Sequence, residues 1–368
     1  MAGDIPSIPG VEVPEYAAQG LRQLVADLVQ SGRTSFPGSQ PVSFTRKQSV
    51  AELLREDYFV CEKSDGVRVL VLMLVDRGYR GQPLTYVITR KNEYYLVPDA
   101  HFPLPDTTAA AQFHDRTLID AELVTIDEDG RPVRRLLGFD ALVVNGQSCM
   151  AKPFTSRLGY LKDHVVAPYA RRCAQLPAGT PVPFMAEVKQ FQYSYAADYV
   201  QSTIVPTLKH GSDGLIFTSV NSPYVIGTCD KIIKWKPANE NSIDFKARAI
   251  PATADAAADQ SEVMLMMWQG GNAYTDYAPL AIRPEDRSAI FPDGRPVDGR
   301  IIEAAYDPDY CPPAKWRFLR FRDDKTHGNH ASVVTRILDS IKDGVDLADL
   351  FATCVQIKDS WKQRNGEP

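Results

Sequence analysis

A lysine between two apolar segments is the residue on which the candidate chemistry of this chain depends. Lys63 stands in the sequence Glu-Lys-Ser-Asp-Gly at 62–66, after the apolar run 58–61 and before the apolar run 67–75. Both runs are rich in β-branched and apolar residues and predict buried strands, so Lys63 is expected in the link between them. A neutral lysine amine can attack an electrophile, and nearby cations and low polarity favour the neutral form. The Lys-x-Asp-Gly pattern is short, and a solvent-facing lysine beside an Asp-Gly turn is the alternative.

Two carboxylates on one predicted strand are a second candidate for chemistry. Asp120 and Glu122 lie in the run 118–126, which the turn 127–130 joins to the run 132–144 as a hairpin. Residues two apart on a strand share a face, and two carboxylates on an apolar strand are costly unless they are exposed or bound to a cation. The pattern therefore indicates either a cation site or an edge strand with a solvated face.

Basic residues with strand spacing follow further along the chain. Lys189 lies on the predicted strand 184–190, and Asp213 lies in a turn that leads into the predicted strand 215–220. Lys234 and Lys236 flank Trp235, so both amines share one face of a strand. A solvated strand edge explains this alternation, and a phosphate and metal site is the other interpretation.

The elements that must position these residues alternate between strands and short helices. Helical spacing of apolar residues predicts helices at 14–32, 158–173 and 196–208, and an S-x-x-E capping box at 49–52 predicts the start of a short helix. The prolines at 36–41 predict a structured loop. The runs 84–89 and 94–97 predict a hairpin with its turn near Asn92, with Arg90 at the end of its first strand.

The second half of the chain predicts a small barrel. A polar stretch at 237–241 marks a boundary, and we expect one domain at 1–240 and another at 241–368. Five short strand-like runs fit a Greek-key barrel of the OB type; they are 243–250, 263–268, 273–282, 300–306 and 316–321. Residues 252–260 are small and polar and predict a flexible loop. Two helical patterns, 333–341 and 347–361, are expected to close the second domain.

Composition sets broad limits on function. The 368 residues suffice for two domains, and 44% of them are apolar. A net charge of -5 argues against a protein that coats nucleic acid by bulk charge, although it leaves room for a local basic cleft. No apolar run is long enough for a membrane span, and the N-terminal sequence does not have the pattern of a signal peptide. The six scattered cysteines fit a reducing compartment and argue against a structural zinc site.

Taken together and in this order, the motifs resemble those of the covalent nucleotidyltransferases, which are the mRNA capping enzymes, DNA ligases and RNA ligases. The resemblance spans about residues 36–329, and its motifs are the following: Lys63-Ser64-Asp65-Gly66, Asp120 with Glu122, the stretch 212–217, Lys234-Trp235-Lys236, and Arg320 with Arg322, Asp324 and Lys325. It implies an α+β fold, in which a nucleotidyltransferase domain of antiparallel sheets with flanking helices, like that of ATP-grasp-type ligases, is joined to a C-terminal OB-fold barrel.

Within that superfamily the chain is most similar to the stand-alone mRNA guanylyltransferases of fungi. The stretches 36–44, 136–146, 213–218 and above all 322–330 carry this likeness, and DNA ligases lack an ending like 322–330. One position departs from the family pattern, since Ala121 stands where Gly is common between the two acids. Alanine is compatible with ordinary strand backbone, so the acid pair is expected to be retained.

The resemblance implies a two-step reaction and a role for each motif residue. Lys63 would attack the α-phosphorus of GTP to form a lysyl–GMP adduct, and the GMP would pass to the 5′-diphosphate end of RNA. Glu122 and Asp213 would hold Mg²⁺ or Mn²⁺. Guanine would stack on Phe139 and accept a hydrogen bond at O6 from Lys189, although Phe139 could instead be a core residue and Lys189 a solvated one. The remaining nucleotide contacts implied are Arg68, Arg90, Lys234, Lys236, Arg320, Arg322, Asp324 and Lys325, the last four acting when the barrel closes over the site.

The same resemblance implies partners and a compartment. Enzymes of this type act in the nucleus, pair with an RNA triphosphatase subunit and dock on the phosphorylated C-terminal domain of RNA polymerase II. Two other functions stay open at this point. An ATP-dependent polynucleotide ligase would form an adduct with AMP, and a non-catalytic module that docks the polymerase or RNA would form no adduct.

Overall fold

The structure is a computed structural model that describes residues 6–76, 78, 81–105, 112–128, 130–177, 179–237, 241–251, 261–292 and 297–366. The loop expected at 252–260 lies outside the described residues. Two compact units make up the chain. The first comprises Met1–Ser43, Ser49–Trp235 and Leu350–Pro368, and the second comprises Phe44–Gln48 and Lys236–Asp349. The main division at Trp235 lies five residues before the predicted end of the first domain at 240.

An eight-stranded, mostly antiparallel sheet forms the larger layer of the first unit. Its order is β1-β6-β5-β4-β7-β8-β10, with β9 paired to β8. The bounds are β1 Val11–Glu12, β4 Val67–Asp76, β5 Gln82–Thr89, β6 Tyr94–Leu96, β7 Thr117–Glu128, β8 Arg131–Val144, β9 Gln147–Ser148 and β10 Met185–Val188. Both predicted hairpins, β5–β6 and β7–β8, are confirmed. The turn residue Asn92 has a φ of 63°, a left-handed conformation that asparagine tolerates well.

Both faces of this sheet are buried, which explains the continuous apolar run at 69–75. Val69 and Val71 face a core that includes the helical segment 154–175. Leu70 and Leu72 face the opposite core, which includes the first helix. Because successive strand residues point to opposite faces, a strand covered on both sides needs apolar residues at every position.

A five-stranded sheet forms the second layer of the first unit. Its order is β11-β3-β12-β13-β2, with bounds β2 Ser39–Ser43, β3 Tyr58–Ser64, β11 Gln192–Tyr193, β12 Ser212–Ser219 and β13 Gly227–Trp235. The prediction of a loop throughout 36–41 is wrong in its second half, because Pro41 lies within β2. β2 is an edge strand, and its pairing with β13 shifts register just after Pro41, which are the two settings that accept a residue without an N–H.

Helices connect and cover the strands of the first unit. They are α1 Glu15–Leu28, α2 Arg46–Arg55, α3 Phe154–Gly159, a π-helical segment Tyr160–Val166, α4 Ala167–Gln175, and a run of short turns Ser194–Ala196, α5 Ala197–Tyr199, Val200–Ile204 and Val205–Thr207. The capping box predicted at 49–52 is wrong. Ser49 lies inside α2, and the Glu52 carboxylate binds Arg55 and Lys231 instead of capping a helix.

A closed five-stranded barrel forms the second unit, as predicted. Its strands are β14 Ser242–Ile250, β15 Glu262–Gly270, β16 Ala273–Ala281, β17 Ile301–Cys311 and β18 Ala314–Phe321. They close in the order β14-β15-β16-β18-β17, which is consistent with the OB type. The turn Pro284–Asp286 and α6 Arg287–Ile290 follow β16, and α7 Ala331–Lys342 packs Val334 into the barrel core.

The last helix corrects the predicted domain assignment. Helix α8, Leu347–Asn365, was expected to belong wholly to the barrel domain, but the chain from Leu350 onward belongs to the first unit. The Trp361 ring lies 5.3 Å from that of Tyr193 and 5.2 Å from that of Tyr195, and Arg364 forms an ion pair of 2.7 Å with Asp57. None of the described helices is long and apolar enough to cross a bilayer.

Candidate active site

Lys63 lies within β3, one residue from its end, and is half-buried. Its Nζ donates to Oδ1 of Asp213 at 2.6 Å, and the two side chains are 26% and 20% exposed. β3 and β12 pair regularly except for a register shift between Ser212 and Leu215, so the chain bulges at Asp213. Such a bulge re-aims a side chain out of its normal strand direction. The amine is therefore held at the surface of the sheet with one face open to solvent and a carboxylate at its side.

Gly66 explains the spacing of the Lys-x-Asp-Gly motif. β3 belongs to the five-stranded sheet and β4 to the eight-stranded sheet, and residues 65 and 66 carry the chain from one to the other. A Cβ at Gly66 would lie 2.4 Å from the backbone oxygen of Leu123 and 2.7 Å from Cγ1 of Val124. Only glycine lets the link pass so close to β7.

Arg68 is held by a buried network on the larger sheet. Its Nε and Nη2 donate to the two carboxylate oxygens of Asp120 at 3.0 and 2.6 Å, and its Nη1 donates to the backbone oxygen of Ser39. The Tyr224 hydroxyl donates to Asp120 at 2.6 Å and accepts from the Ser39 N–H at 3.0 Å. A buried carboxylate needs a cation beside it, and for Asp120, the first member of the predicted acid pair, that cation is the guanidinium of Arg68.

Phe139 lies beside this network. The guanidinium carbon of Arg68 is 5.5 Å from the centre of the half-buried Phe139 ring. The next residue, Asp140, is buried and binds the guanidinium of Arg157 through both oxygens, at 2.8 and 3.0 Å. Burial raises the pKa of the Asp140 carboxyl, and Arg157 opposes this effect. Phe139 is therefore not a residue of the central core. Its ring is half-buried, and the buried ion pair between Asp140 and Arg157 fixes the strand at the next position.

Lys189 lies next to the nucleophile strand. Its Nζ donates to the backbone oxygen of Glu62 at 3.0 Å and forms an ion pair of 3.3 Å with the Glu62 carboxylate. Burial acts to lower the pKa of Lys189, but the carboxylates of Glu62 and Glu122 and the hydrogen bond to Glu62 oppose this effect, and the pKa of Lys189 is raised. Lys189 is therefore held as a charged donor, and a solvated strand lysine does not describe it, since its side chain is only 6% exposed.

Glu122 is the second predicted carboxylate and lies opposite Arg68 on the neighbouring strand. Burial raises its pKa to about 7, while Lys189, Lys63 and Arg68 each lower it. Glu122 and Asp213 both lie near the Lys63 amine, and their carboxylate oxygens suit Mg²⁺ or Mn²⁺. No group of three or more such ligands exists among the described residues. Two carboxylates fit a Mg²⁺ ion that keeps waters and binds substrate phosphates, which is its usual mode in nucleotide sites.

Three further predicted residues of this region are less enclosed. Arg90 is exposed, and its Nη2 lies 3.4 Å from the side-chain oxygen of Gln40. Lys234 is half-buried on β13 opposite Ile216, and Lys236 follows just after the strand ends. The middle segment of the first unit ends at Trp235, so Lys236 is grouped with the second unit.

The predicted residues of the second unit form a network of ion pairs around Asp244. Arg322 binds Asp324 through two bonds of 2.9 Å and Asp244 at 3.2 Å, and Lys325 also binds Asp244. The more exposed Arg320 pairs with Glu303 at 2.8 Å. These four predicted residues thus lie together at the end of β18 and in the loop that follows it.

The sequence assigned no role to Tyr224, Ser39 or Glu62, which contact Asp120, Arg68 and Lys189, or to Arg157, which pairs with Asp140 next to Phe139. Ser39 and Tyr224 are 185 residues apart, and Tyr224 stands among small and polar residues that predict a loop. The one signal available was charge balance. A buried Asp140 in an apolar strand requires a cation, and Arg157, which stands just before the predicted helix 158–173, could supply it.

Comparison with known proteins gives one consistent family. Residues 4–238 match the model of the mRNA capping enzyme catalytic domain, and residues 240–351 match that of the mRNA capping enzyme C-terminal domain. The curated relatives include the mRNA-capping enzyme subunit alpha of Neurospora crassa, which is 38% identical with 97% of this chain and 93% of the relative covered. The protein of the same name from Yarrowia lipolytica is 36% identical, with 100% and 94% covered, and that from Saccharomyces cerevisiae is 35% identical, with 98% and 87% covered.

The solved structures add distant likenesses. A mycobacterial DNA ligase D complexed with ATP and MES is 14% identical, with 78% of this chain and 95% of the ligase covered and a TM-score of 0.41. A likeness at this level says nothing about activity. The two domain matches and the near full-length relatives decide the assignment, and the chain belongs to the mRNA capping enzyme family.

Proposed function

We propose that this chain is a GTP:RNA guanylyltransferase that carries GMP on Lys63 and transfers it to the 5′-diphosphate end of RNA. The observation that carries the proposal is the half-buried Lys63 amine, which is held 2.6 Å from Asp213 on one sheet and is close enough to Glu122 of the other sheet for its charge to lower the pKa of that carboxyl. Family membership agrees with this chemistry. A lysine in such a place can act as a nucleophile once it has lost its proton.

The first step exchanges one bond to phosphorus for another. The Lys63 nitrogen gives up a proton and forms a bond to the α-phosphorus of GTP, while the bond to the bridging oxygen of pyrophosphate breaks. The phosphoramidate that results keeps GMP on the enzyme. Arg68 presents its guanidinium beside Phe139 and is fixed there by Asp120, so it is placed to bind the ribose or phosphates with little reorganisation.

Phe139 and Lys189 supply a route to guanine selection. The half-buried Phe139 ring offers a face for stacking, and the charged Lys189 offers a donor to a carbonyl oxygen. Guanine carries such an oxygen at O6, whereas adenine carries an amino group there, which an ammonium repels. This argument disfavours the alternative function, an ATP-dependent polynucleotide ligase.

Glu122 and Asp213 are the residues that would hold Mg²⁺ or Mn²⁺. A bound divalent ion supplies positive charge that stabilises the charge developing on the phosphate oxygens. Asp213 contacts Lys63 in the structure, so the same carboxylate can orient the amine. Lys234 and Lys236 would contribute further positive charge for the phosphates.

In the second step a terminal phosphate oxygen of the RNA diphosphate attacks the phosphorus of lysyl–GMP. The nitrogen–phosphorus bond breaks, the amine takes up a proton, and the product is GpppN-RNA. Arg320, Arg322 and Lys325 would bind the β- and γ-phosphates of GTP, with Asp324 holding the Arg322 guanidinium, and so these four residues would serve the first step and not the second.

The names of the relatives support a proposal about assembly and compartment. The curated relatives are named as alpha subunits, and we propose that this chain likewise pairs with a second subunit, an RNA triphosphatase. Because capping acts on nascent RNA, we further propose that the chain works in the nucleus, with the phosphorylated C-terminal domain of RNA polymerase II as a docking partner.

A labelling experiment tests the function. The protein is incubated with divalent metal and GTP labelled at the α-phosphate, then denatured, and the label that survives is counted. We expect a covalent label that a 5′-diphosphate RNA removes, that EDTA prevents, and that Lys63→Ala and Lys63→Arg abolish. Label from ATP in place of GTP would support the ligase, absence of any label would support a docking module, and label that persists in Lys63→Ala would refute the nucleophile.

A further inference from the structure

The outer face of the barrel strands β14, β15 and β16 carries aromatic and basic side chains. The inward residues of β15 include Val263 and Leu265, which lie in the barrel core, so Trp268 points outward by strand alternation. Tyr274 pairs with Trp268 across β15 and β16 and lies on the same face. Lys246 of β14 pairs with Met266 and also points outward.

Two histidines from the loop after β18 join this face. The His327 ring stacks on the Trp268 ring with 4.7 Å between centroids and 8° between planes, and the Tyr274 hydroxyl lies 2.9 Å from His327 Nδ1. His330 meets Trp268 edge-on at 5.6 Å, and the Lys246 Nζ lies 4.7 Å from the centre of the Tyr274 ring. We call these five residues the aromatic platform.

The platform is rigid without a ligand. Asn329 ties the histidine loop to β14, because its N–H donates to the backbone oxygen of Asp244 at 2.7 Å and its side-chain oxygen accepts from the Asp244 N–H at 2.8 Å. A Cβ at Gly328 would lie 2.5 Å from the same backbone oxygen, so the loop follows the strand closely. The Trp268 Nε1 donates to the backbone oxygen of Gly271 at 2.9 Å. All five side chains of the platform are only half-buried.

The charges around the platform favour an anionic partner. Asp276 on the same face is paired with Arg248, and Asp244 is paired with Lys325. Lys246 takes part in no ion pair among the described residues. Half-exposed rings next to an ammonium group are the combination that binds single-stranded nucleic acid, where bases stack on rings and cations follow the backbone.

We propose that the aromatic platform binds the single-stranded RNA chain behind its 5′ end, with a base stacked on the exposed part of the Trp268–His327 pair and a backbone phosphate at Lys246. β15 and β16 are strands two and three of the barrel, and OB barrels use the face of these strands to bind oligonucleotides. The proposal rests on the proposed function, which makes RNA the acceptor, and extends it to RNA beyond the reacting end.

The kinetic test compares acceptors of two lengths. The wild-type chain, Trp268→Ala and Trp268→Phe transfer GMP to 5′-diphosphate RNAs of two and roughly ten nucleotides, since OB folds cover about 4–16 nucleotides. In Trp268→Ala we expect the KM for the longer RNA to rise about tenfold, as the loss of one stacked base predicts. The KM for the dinucleotide and the rate of lysyl–GMP formation should not change, and Trp268→Phe should resemble the wild type. Tyr199→Ala removes a half-exposed aromatic ring from the first unit and is the matched control.

A binding test separates this proposal from the catalytic one. Fluorescence anisotropy of a labelled RNA without 5′ phosphates needs neither GTP nor transfer, so it reports on the platform even if the chain is no guanylyltransferase. We expect Trp268→Ala to weaken this binding about tenfold, and Lys246→Gln to reduce the slope of log affinity against log salt by about 0.7. Unchanged binding in both variants would overturn the proposal, as would an equal rise in KM for both RNA lengths. If Trp268→Ala fails to form the adduct because its barrel is disrupted, Lys246→Gln decides the matter alone, and an unchanged affinity and salt slope in that variant would overturn the proposal.

Discussion

Three buried tyrosines of the first unit allow the energy of the network behind Arg68 to be measured. Tyr224 donates to the Asp120 carboxylate at 2.6 Å and accepts from a backbone N–H at 3.0 Å. Tyr169 donates to one backbone oxygen at 2.9 Å, and the Tyr58 hydroxyl is buried without a hydrogen-bond partner among the described residues. Replacing each with phenylalanine removes one oxygen from a closely packed site, so the variants differ mainly in the bonds they lose.

The structure predicts a graded series of stabilities. A hydrogen bond between neutral groups contributes about 1 kcal/mol and one to a charged group about 2 kcal/mol. Tyr169→Phe should therefore lower the free energy of unfolding by about 1 kcal/mol. Tyr224→Phe should lower it by about 3 kcal/mol, because a charged acceptor loses a donor and a buried N–H loses its acceptor. Tyr58→Phe should be neutral or stabilising by up to about 1 kcal/mol, since it removes a buried hydroxyl that has no partner.

The assay must isolate the first unit from the barrel. Amide hydrogen exchange of strand β4 in increasing urea, resolved by mass spectrometry, reports the opening of the sheet that contains Arg68. We expect the order Tyr58→Phe, Tyr169→Phe, Tyr224→Phe from most to least stable. The reasoning is refuted if Tyr224→Phe is no less stable than Tyr169→Phe. A hydroxyl with two hydrogen bonds, one of them to a carboxylate, would then contribute no more than a hydroxyl with one hydrogen bond to a neutral group.

Three other changes test the site and its supports. Gly66→Ala should reduce adduct formation more than about tenfold, because its Cβ would meet the Leu123 backbone oxygen at 2.4 Å, whereas Gly20→Ala on α1, with open space around its Cβ, should leave labelling unchanged. Asp324→Ala should lose labelling from GTP while a pre-formed adduct still caps RNA, and equal loss of both steps in a quench assay would contradict this division. Trp361→Ala should expose the end of α8 to protease, since the helix loses its ring contacts; unchanged cleavage would show that these contacts do not hold it.

The sequence predicts most strands of this chain because their burial leaves a simple pattern. The run at 67–75 is apolar at every position except Arg68, and the structure buries it on both faces. The barrel strands are shorter and still recognisable, since each has inward apolar residues at alternate positions. The wrong elements have local causes. The Ser-x-x-Glu pattern at 49–52 suits a helix start, but it also occurs inside a helix whose Glu52 has other partners.

The candidate site is harder to predict because its contacts link distant segments. Arg68 lies opposite Glu122 in the strand register, yet its guanidinium binds Asp120, two residues away on the same face. Spacing identifies the acid pair, but it does not say which acid takes the guanidinium. That choice depends on Tyr224 and Ser39, which approach from other segments and have no sequence pattern of their own.

The four residues of the Lys-x-Asp-Gly motif are best understood as the crossing between two sheets. Lys63 is the next-to-last residue of β3. Two residues later, the Asp65 N–H donates to the backbone oxygen of Gly211 at 2.8 Å, next to the bulge that carries Asp213. Gly66 follows at once and lies against β7, with its α-carbon beside Glu122. The motif therefore joins the nucleophile strand to both carboxylate-bearing strands within three residues. A larger residue at position 66 would push the two sheets apart. The Lys63 amine on one sheet would then lie farther from the Glu122 carboxylate on the other.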